Sequence, residues 1–307
     1  MVTIDYNKIR NNILNLKKNN DLILVVKDNA YGFGIKPVVK IAQELNIHKF
    51  AVKSIEEGIL VRKLDSMALV LILGKLKKVH FNTLKVYNLT PTINDYDDYI
   101  FYKENKIACH LEIDLGMNRF GMKNNYLAII NDSIVKAIYG HIYNDNYTNI
   151  NKIKKIANNY LKDYHVGGSC VINKVEGTIR VGKAIYEHCL AFKGRIVNIK
   201  SLEEKETVGY DGHYTARNNC LIGVCDIGYS NGLKLFFHGR VFINDNYYQC
   251  VGKCCMDQCF ILIDDKVKIG DEVEFFGDKI NEDEFIVQNS MSKYEMFLQI
   301  NNQAILT

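Results

Sequence analysis

A lysine ends an apolar stretch near the beginning of the chain and is followed at once by a turn rich in glycine. The segment runs Val25-Val26-Lys27-Asp28-Asn29-Ala30-Tyr31-Gly32-Phe33-Gly34. An amine that is partly removed from water at the end of a strand reacts readily with an aldehyde and can serve as a base near neutral pH. The plain alternative is a solvent-facing lysine, and this segment alone does not decide between the two interpretations.

Cysteines are a second group that could do chemistry. The chain has nine, and Cys250, Cys254, Cys255 and Cys259 form the closest cluster. Their spacing lacks the paired C-x-x-C pattern of a zinc site, and no histidine lies among them. Many of the cysteines stand in apolar stretches, which favours reduced thiols that pack in a core. The sequence therefore predicts no metal site.

The elements around Lys27 have the pattern of repeated strand–helix units. Short aliphatic runs predict strands, and segments between them have helical periodicity. The predicted strands are 22–27, 50–52, 69–73, 89–92, 107–114, 135–141 and 166–169, and the predicted helices include 35–45, 55–64 and 150–161. So many units favour a (β/α)8 TIM barrel over an open parallel sheet, although periodicity alone leaves the open sheet as an alternative. In such a barrel, active sites lie at the carboxyl ends of the strands, where Lys27 stands.

The pattern changes after about residue 187. Alternating strands separated by Gly and Asn-Asp turns follow, at 194–199, 221–227, 240–243, 259–264 and 272–276. This pattern predicts a mainly antiparallel β-domain. We therefore expect a barrel domain over residues 1–188 and a C-terminal β-domain over residues 189–307, with residues 1–6 forming a strand added to the β-domain.

Composition and charge exclude several classes of protein. The 307 residues carry 39 basic and 35 acidic side chains, a net charge of +4 that is not concentrated in any block. This balance does not suggest a nucleic-acid partner. No run approaches the roughly 20 apolar residues of a membrane span, and the N-terminus lacks the pattern of a signal peptide. We expect a cytoplasmic protein with no membrane partner.

Seven segments, taken in order, resemble conserved blocks of the alanine racemase family. The Lys27 segment resembles the lysine motif that carries pyridoxal 5'-phosphate (PLP), and Glu112-Ile113-Asp114-Leu115-Gly116-Met117-Asn118-Arg119-Phe120-Gly121 resembles a second block. The remaining segments are 180–186, 208–216, 227–232, 251–258 and 294–295. Each match is weak by itself, whereas seven collinear matches that span most of the chain are strong evidence.

The resemblance implies a PLP-dependent isomerase that interconverts L-alanine and D-alanine. Lys27 would hold PLP as a Schiff base and then act as the base on one face of the substrate. Tyr210 of a partner subunit would serve the other face, so the resemblance also implies a homodimer with shared active sites. Two acid/base groups on opposite faces are the minimum that inversion requires. D-alanine for cell-wall peptide is the expected use of the product.

The resemblance also assigns residues that bind the cofactor and the substrate. Arg180 would face the pyridine nitrogen, with His141 supporting it. The phosphate set would be Tyr31, Ser169, Tyr294 and the backbone at Gly182, with Lys183 either adding charge there or pointing to solvent. The substrate set would be Arg119, Met256 from the partner subunit and Tyr229, with Asp257 as a supporting residue.

One departure from the family pattern lies beside Arg119. Glu112 stands where many members carry a carbamylated lysine that orients the arginine corresponding to Arg119. We hypothesise that Glu112 replaces the carbamate and orients Arg119. Two alternatives to alanine racemisation stay open at this point: a racemase for another amino acid such as serine, and a PLP-binding protein without turnover.

Overall fold

Strands and helices alternate along the first part of the chain. The computed structural model describes residues 1–143, 147–172, 174–175 and 177–304. It divides into two units, one formed by Tyr6–Glu187 and the other by Met1–Asp5 with the residues from His188 onward. The division between the units falls between residues 187 and 188.

The elements up to residue 187 are short. In chain order they are β1 (Val2–Ile4), α1 (Tyr6–Lys17), β2 (Asn20–Val25), α2 (Lys27–Tyr31), α3 (Ile35–Glu44), β3 (Lys49–Val52), α4 (Ile55–Leu64), β4 (Leu69–Ile72), α5 (Phe81–Val86), β5 (Thr92–Ile93), α6 (Tyr96–Glu104), β6 (Cys109–Glu112), β7 (Val135–His141), α7 (Tyr147–Tyr160), β8 (Asp163–Gly167), β9 (Gly177–Val181) and α8 (Lys183–Tyr186). Short 3-10 helices occupy Lys78–His80, Asn125–Ala128 and Ser169–Val171.

Eight parallel strands of the first unit close into a barrel. Their order is β4-β3-β2-β9-β8-β7-β6-β5. The two ends of this order meet where Leu71 pairs in parallel with Thr90, and the amide of Ile72 donates to the carbonyl of Thr90 at 2.9 Å. The predicted (β/α)8 barrel is therefore confirmed. Because all eight strands are parallel, their carboxyl ends gather at one face.

Three barrel strands differ most from the prediction. Strand β5 covers Thr92–Ile93 rather than 89–92. Strand β9 was not predicted, because Thr178 and the charged Arg180 interrupt its apolar pattern. Strand β8 covers Asp163–Gly167 rather than 166–169, so His165 lies inside the strand, where it is 2% exposed. In β8 and β9 a buried polar side chain interrupts the apolar pattern from which strands are predicted.

The second unit is built on an antiparallel sheet, as predicted. Its further elements are β10 (Leu190–Leu202), β11 (Thr207–Val208), β12 (Tyr214–Thr215), β13 (Cys220–Cys225), β14 (Arg240–Ile243), β15 (Asn246–Val251), β16 (Cys259–Ile263), β17 (Glu272–Phe276), α9 (Glu282–Gln288) and α10 (Lys293–Ala304). The sheet order is β1-β10-β13-β16-β15-β14-β17, and β10 also pairs with β17. Strand β1 adds to the edge of this sheet by pairing with β10, so the N-terminal residues belong to the second unit.

Phenylalanine rings fill the interior of the second unit. Phe192, Phe237, Phe275, Phe276 and Phe285 are at most 1% exposed and contact one another at ring-centroid distances of 4.8–6.1 Å. Such contacts add to the free energy gained by removing the rings from water. None of the helices in the described part of the chain has the length and apolar character needed to cross a membrane.

Candidate active site

Lys27 starts a turn of left-handed helix. Strand β2 ends at Val25, and the backbone angles of Asp28, Asn29 and Ala30 are close to φ 55° and ψ 48° (φ 54, 53, 57; ψ 49, 46, 50). Tyr31 continues the turn with φ 56°. A left-handed residue other than glycine costs roughly 1–2 kcal/mol, least for Asn and Asp, which can form local hydrogen bonds. Strain of this kind is concentrated at functional sites, where the surrounding structure has to hold it.

Contacts with neighbouring segments hold the turn. The amide of Ala30 donates to the carbonyl of Val26 at 2.9 Å. The side-chain oxygen of Asn29 accepts from the amide of Ile35 at 3.0 Å, at the start of α3. Asp28 forms an ion pair with Lys53, which follows β3. The turn is therefore tied to two neighbouring segments of the barrel as well as to β2.

Tyr31 and the backbone of Gly182 lie in contact beside this turn. Tyr31 is buried, and a Cβ atom built on Gly182 would lie 2.5 Å from its hydroxyl oxygen. A side chain at residue 182 would displace the tyrosine, so the site requires bare backbone there. The amine of Lys27 lies 5.9 Å from the centre of the Tyr31 ring. The structure thus brings three predicted site residues together at the carboxyl ends of β2 and β9.

Ser169 and Lys183 lie after neighbouring strands of the same face. Ser169 follows β8 and Gly168, whose φ of 136° suits glycine. A Cβ atom at Gly168 would lie 2.0 Å from the carbonyl oxygen of Ile142, so this backbone requires glycine at residue 168. Lys183 pairs with Glu187 at 3.2 Å. In the single chain the ammonium group of Lys183 therefore lies beside a carboxylate that directly follows α8.

Arg180 is buried, and its partners are neutral. Its guanidinium lies 2.7 Å from Nδ1 of His165 and donates to the carbonyl of Gly140 at 3.1 Å. The guanidinium carbon lies 4.2 Å from the centre of the Tyr139 ring. Because guanidinium only donates, Nδ1 of His165 accepts and its proton is on Nε2, which lies 2.9 Å from Nδ1 of His110. Burial, with the charge of Arg180, holds the pKa of His165 well below its usual range.

His141 does not have the contact predicted for it. Within the described residues, the side chains bonded to Arg180 include His165 but not His141. Burial, followed by the charges of Arg180, Arg119 and Lys27, lowers the pKa of His141 to about 4. His141 is therefore a neutral imidazole at the end of β7, close enough to those three cations to be affected by them.

Glu112 does not orient Arg119 as hypothesised. Its carboxyl group bonds to the hydroxyl of Tyr139 at 3.0 Å. Arg119 is exposed, and within the described residues it forms no ion pair with Glu112. The shorter glutamate stem keeps the carboxyl group inside the barrel, whereas Arg119 lies on the segment beyond β6.

In the second unit, two loops that carry predicted residues are locked together. The amides of Tyr229 and Ser230 donate to the carbonyls of Cys255 and Met256 at 3.1 and 2.9 Å. The hydroxyl of Ser230 donates to Asp257 at 2.9 Å. Tyr229, Met256 and Asp257 therefore form one exposed patch, in which Asp257 is bonded to Ser230.

The two other tyrosines predicted in the site also lie in the second unit. Tyr210 is 64% exposed and follows Gly209, whose φ is 78°. Tyr294 lies in the first turn of α10, which begins with a reciprocal pair of bonds between Ser292 and Glu295. Tyr210 thus lies in a short turn, and Tyr294 lies at the start of a helix.

Sequence reasoning missed the residues beneath Arg180: His165, Tyr139, His110 and Gly167. A Cβ atom on Gly167 would lie 2.6 Å from the guanidinium of Arg180, so glycine makes room for that side chain. Residues two positions apart on a strand lie on the same face, so Tyr139 shares a face with His141 and His165 shares one with Gly167. This alternation could have indicated that Tyr139 and His165 point toward the site. Among the residues that the structure describes, no three His, Cys, Asp or Glu side chains could hold a metal ion together.

A closed parallel barrel with a lysine on a strained turn at its carboxyl end, joined to an antiparallel β unit, defines the class of protein. The model of the alanine racemase N-terminal domain matches residues 4–139, and that of the C-terminal domain matches residues 189–305. The chain belongs to the alanine racemase family.

Individual relatives and structures agree with this assignment. An alanine racemase of Aquifex pyrophilus is 30% identical, over 78% of this chain and 77% of its own. One of Borreliella burgdorferi is 27% identical, over 97% and 94%. The alanine racemase structure from Acinetobacter baumannii has a TM-score of 0.87 at 20% identity, over 97% and 96%, and that from Bartonella henselae, described with covalently bound pyridoxal phosphate, has 0.87 at 19%, over 98% and 96%. At these identities the structures establish the fold.

Proposed function

We propose that the chain is a PLP-dependent alanine racemase that works as a cytoplasmic homodimer. The observation that supports this most is the grouping of Lys27, Tyr31, Gly182 and Arg180 at the carboxyl ends of neighbouring barrel strands. Family membership alone does not establish the reaction, which depends on the residues of the site. This grouping supplies an amine, a hydroxyl, bare backbone and a buried cation in one place. Supply of D-alanine for cell-wall peptide is the proposed use of the product.

The donor set fits PLP. Lys27 supplies the amine that would hold it covalently. Tyr31, Ser169, Tyr294 and the backbone at Gly182 would hold its phosphate, because hydroxyls and bare backbone can approach an anion closely. Arg180 presents a group that can only donate, which suits a pyridine nitrogen that stays unprotonated. PLP, when bound, withdraws electrons from the substrate and makes its α-proton acidic.

Inversion requires proton transfer on both faces of the substrate. The amine of Lys27 would take or return the α-proton on one face. The hydroxyl of Tyr210, supplied by a partner subunit, would do so on the other, which accords with its 64% exposure in the single chain. Arg180 would keep its proton and would hold the pyridine ring of PLP in position. Arg119 and the backbone amide of Met256, the latter supplied by the partner subunit, would receive the substrate's carboxylate, and the ring of Tyr229 would narrow the entrance.

The test is racemisation in deuterated water. Purified chain with PLP and L-alanine should lose optical activity as deuterium enters at Cα. Lys27→Ala and Tyr210→Phe should each abolish this, whereas Tyr247→Phe, which removes the hydroxyl of another exposed tyrosine in the second unit, should not. Covalent PLP on Lys27 without turnover would favour a binding protein, and faster exchange with serine would favour a serine racemase.

Mixing the two inactive variants tests the shared site. In a mixed dimer, the subunit that carries Tyr210→Phe keeps Lys27 and receives an intact Tyr210 from its Lys27→Ala partner. One complete site per mixed dimer should therefore restore activity. Mixtures that form dimers but remain inactive would show that the tyrosine does not act across the interface.

A further inference from the structure

A chain of hydrogen bonds crosses the barrel interior beneath Arg180. The hydroxyl of Thr92 donates to the carbonyl of Ile72 at 2.7 Å. The hydroxyl of Tyr139 lies 2.9 Å from that of Thr92 and 3.0 Å from a carboxyl oxygen of Glu112. Thr92 and Tyr139 are 1% exposed and Glu112 is 6% exposed. Four oxygen atoms thus make three contacts, all of hydrogen-bond length and shielded from solvent.

Counting the protons in this series of hydrogen bonds determines whether Glu112 is protonated. Each of the three contacts needs one proton, and the carbonyl of Ile72 can only accept. Thr92 and Tyr139 supply one proton each. If Glu112 is ionised, only two protons are available for three contacts. In one contact the two oxygen atoms then have no proton between them, so that their lone pairs repel. A protonated Glu112 supplies the third proton, so that Glu112 donates to Tyr139, Tyr139 to Thr92, and Thr92 to Ile72.

The surroundings of Glu112 agree with the count. No basic side chain lies within ion-pair distance of its carboxyl group in the described part of the chain, and an unpaired buried charge is costly. Burial raises the pKa of Glu112, against the opposing effects of Arg180, the bond to Tyr139 and the charge of Arg119, and Asp114 raises it further. These are the charged and titratable groups that face it.

We propose that Glu112 is a neutral carboxylic acid that positions Arg180 through Tyr139. The bonded hydroxyl of Tyr139 fixes its ring, which stacks on His165 at 4.9 Å and lies under the guanidinium of Arg180. Glu112 then does not replace an anionic carbamate. Arg119 is then not paired with a carboxylate of Glu112 and is available to bind the carboxylate of a ligand. The protonation of Glu112 is independent of the proposed racemase activity, whereas the roles of Arg180 and Arg119 toward ligands rest on it.

Infrared spectroscopy of the purified full chain tests the protonation directly. The spectrum of wild type minus that of Glu112→Gln at about pH 7, where exposed glutamates are ionised, should contain the carbonyl band of a protonated acid. Glu274 is the matched control. It is 5% exposed, accepts from the amides of Lys279 and Ile280 at 2.7 and 3.0 Å, and lies 3.8 Å from Lys193. Because its partners all donate, Glu274→Gln should remove carboxylate bands instead.

The two possible results for Glu112 are distinct. Loss of an acid band supports the proposal, and loss of carboxylate bands overturns it. If Glu112→Gln does not fold, Glu112→Asp serves, because a retained acid would shift the band whereas an ionised residue would leave the acid region unchanged. These measurements need no PLP and no turnover, so their failure is separate from failure of the proposed function.

The pH dependence of stability gives a second test, because a protonated and an ionised Glu112 predict changes in stability of opposite sign. A folded state that keeps a proton on Glu112 loses stability as pH rises above the ordinary glutamate range toward the raised pKa. The melting temperature of Glu112→Gln relative to wild type should therefore increase between about pH 5 and pH 8. A relative decrease over that range would mean that the folded state favours the carboxylate, and would overturn the proposal.

The positioning role has its own readout. Tyr139→Phe keeps the ring but removes the bond to Glu112, so the guanidinium of Arg180 loses its fixed support. We expect the absorption band of bound PLP to shift and kcat to fall more than KM rises. Glu112→Gln, whose amide can donate to Tyr139, should preserve both. An unaltered spectrum and kcat in Tyr139→Phe would refute the positioning role.

Discussion

A single methyl group at residue 167 should displace Arg180. In Gly167→Ala, the new Cβ would lie 2.6 Å from a terminal nitrogen of Arg180 and 3.0 Å from its guanidinium carbon. Ordinary contacts begin near 3.5 Å, so the guanidinium must move by about 1 Å. Its bonds to His165 and Gly140, now 2.7 and 3.1 Å, would be strained or broken. Overpacking of this kind costs about 1–3 kcal/mol, and weakened bonds of a buried charged group add a similar amount.

The assays are thermal unfolding and steady-state kinetics. A loss of about 3 kcal/mol should lower the melting temperature by roughly 6–12 °C. A misplacement of about 1 Å should lower kcat/KM by around 100-fold. Gly223→Ala is the control, because its Cβ would meet only the side chains of Ile196 at 3.0 Å and Ile263 at 3.3 Å, neither of which is a predicted site residue. Wild-type kcat/KM in Gly167→Ala would refute the claim that the position of Arg180 matters.

Three further predictions concern the turn, the substrate patch and acid stability. Ala30→Gly should leave the melting temperature unchanged or slightly raised, because relief of the left-handed backbone, roughly 1–2 kcal/mol, offsets about 0.8 kcal/mol from the lost buried methyl group; a drop of several degrees would contradict this. Ser230→Ala removes the 2.9 Å bond to Asp257, worth about 1 kcal/mol, so the melting temperature should fall by only about 2–4 °C. KM should rise by up to about 5-fold because the bond holds the substrate patch in shape, and an unchanged KM would count against the patch. Burial lowers the pKa of His110 from 6.5 to about 4, so the protein should lose about 3 kcal/mol as pH falls from 6.5 to 4, and His110→Asn should flatten that loss in pH-dependent denaturation.

Helices with clear periodicity could be predicted closely, whereas strands with buried polar residues could not. Segments 35–45 and 55–64 became α3 (Ile35–Glu44) and α4 (Ile55–Leu64). Strand β9 was missed because arginine is normally exposed to solvent, whereas Arg180 is buried in the barrel interior. Its burial is possible only with His165 and Gly167 on the neighbouring strand. No window of local sequence contains that information.

The candidate site shows the same limit. The collinear motifs predicted the candidate site residues, and the structure groups four of them: Lys27, Tyr31, Gly182 and Arg180. The partner of Arg180 was assigned to His141, yet the structure places His165 there. Arg180 stands on β9, which pairs with β8, whereas β8 separates β7 from β9 in the barrel. His165 therefore lies on the strand next to Arg180, and His141 lies one strand further away. Motif spacing along the chain does not give the order of strands in a barrel.

The left-handed turn explains why the site needs the barrel around it. The four residues from Asp28 to Tyr31 would cost several kcal/mol in isolation, a sizeable part of the 5–15 kcal/mol that stabilises a typical domain. Asn29 and the ion pair of Asp28 with Lys53 offset part of that cost. Burial of the Tyr31 ring against Tyr186 at 5.2 Å offsets more. The turn therefore exists only while β2, α3 and the segment after β3 are in place, so the amine of Lys27 is positioned by the folded barrel before any ligand binds.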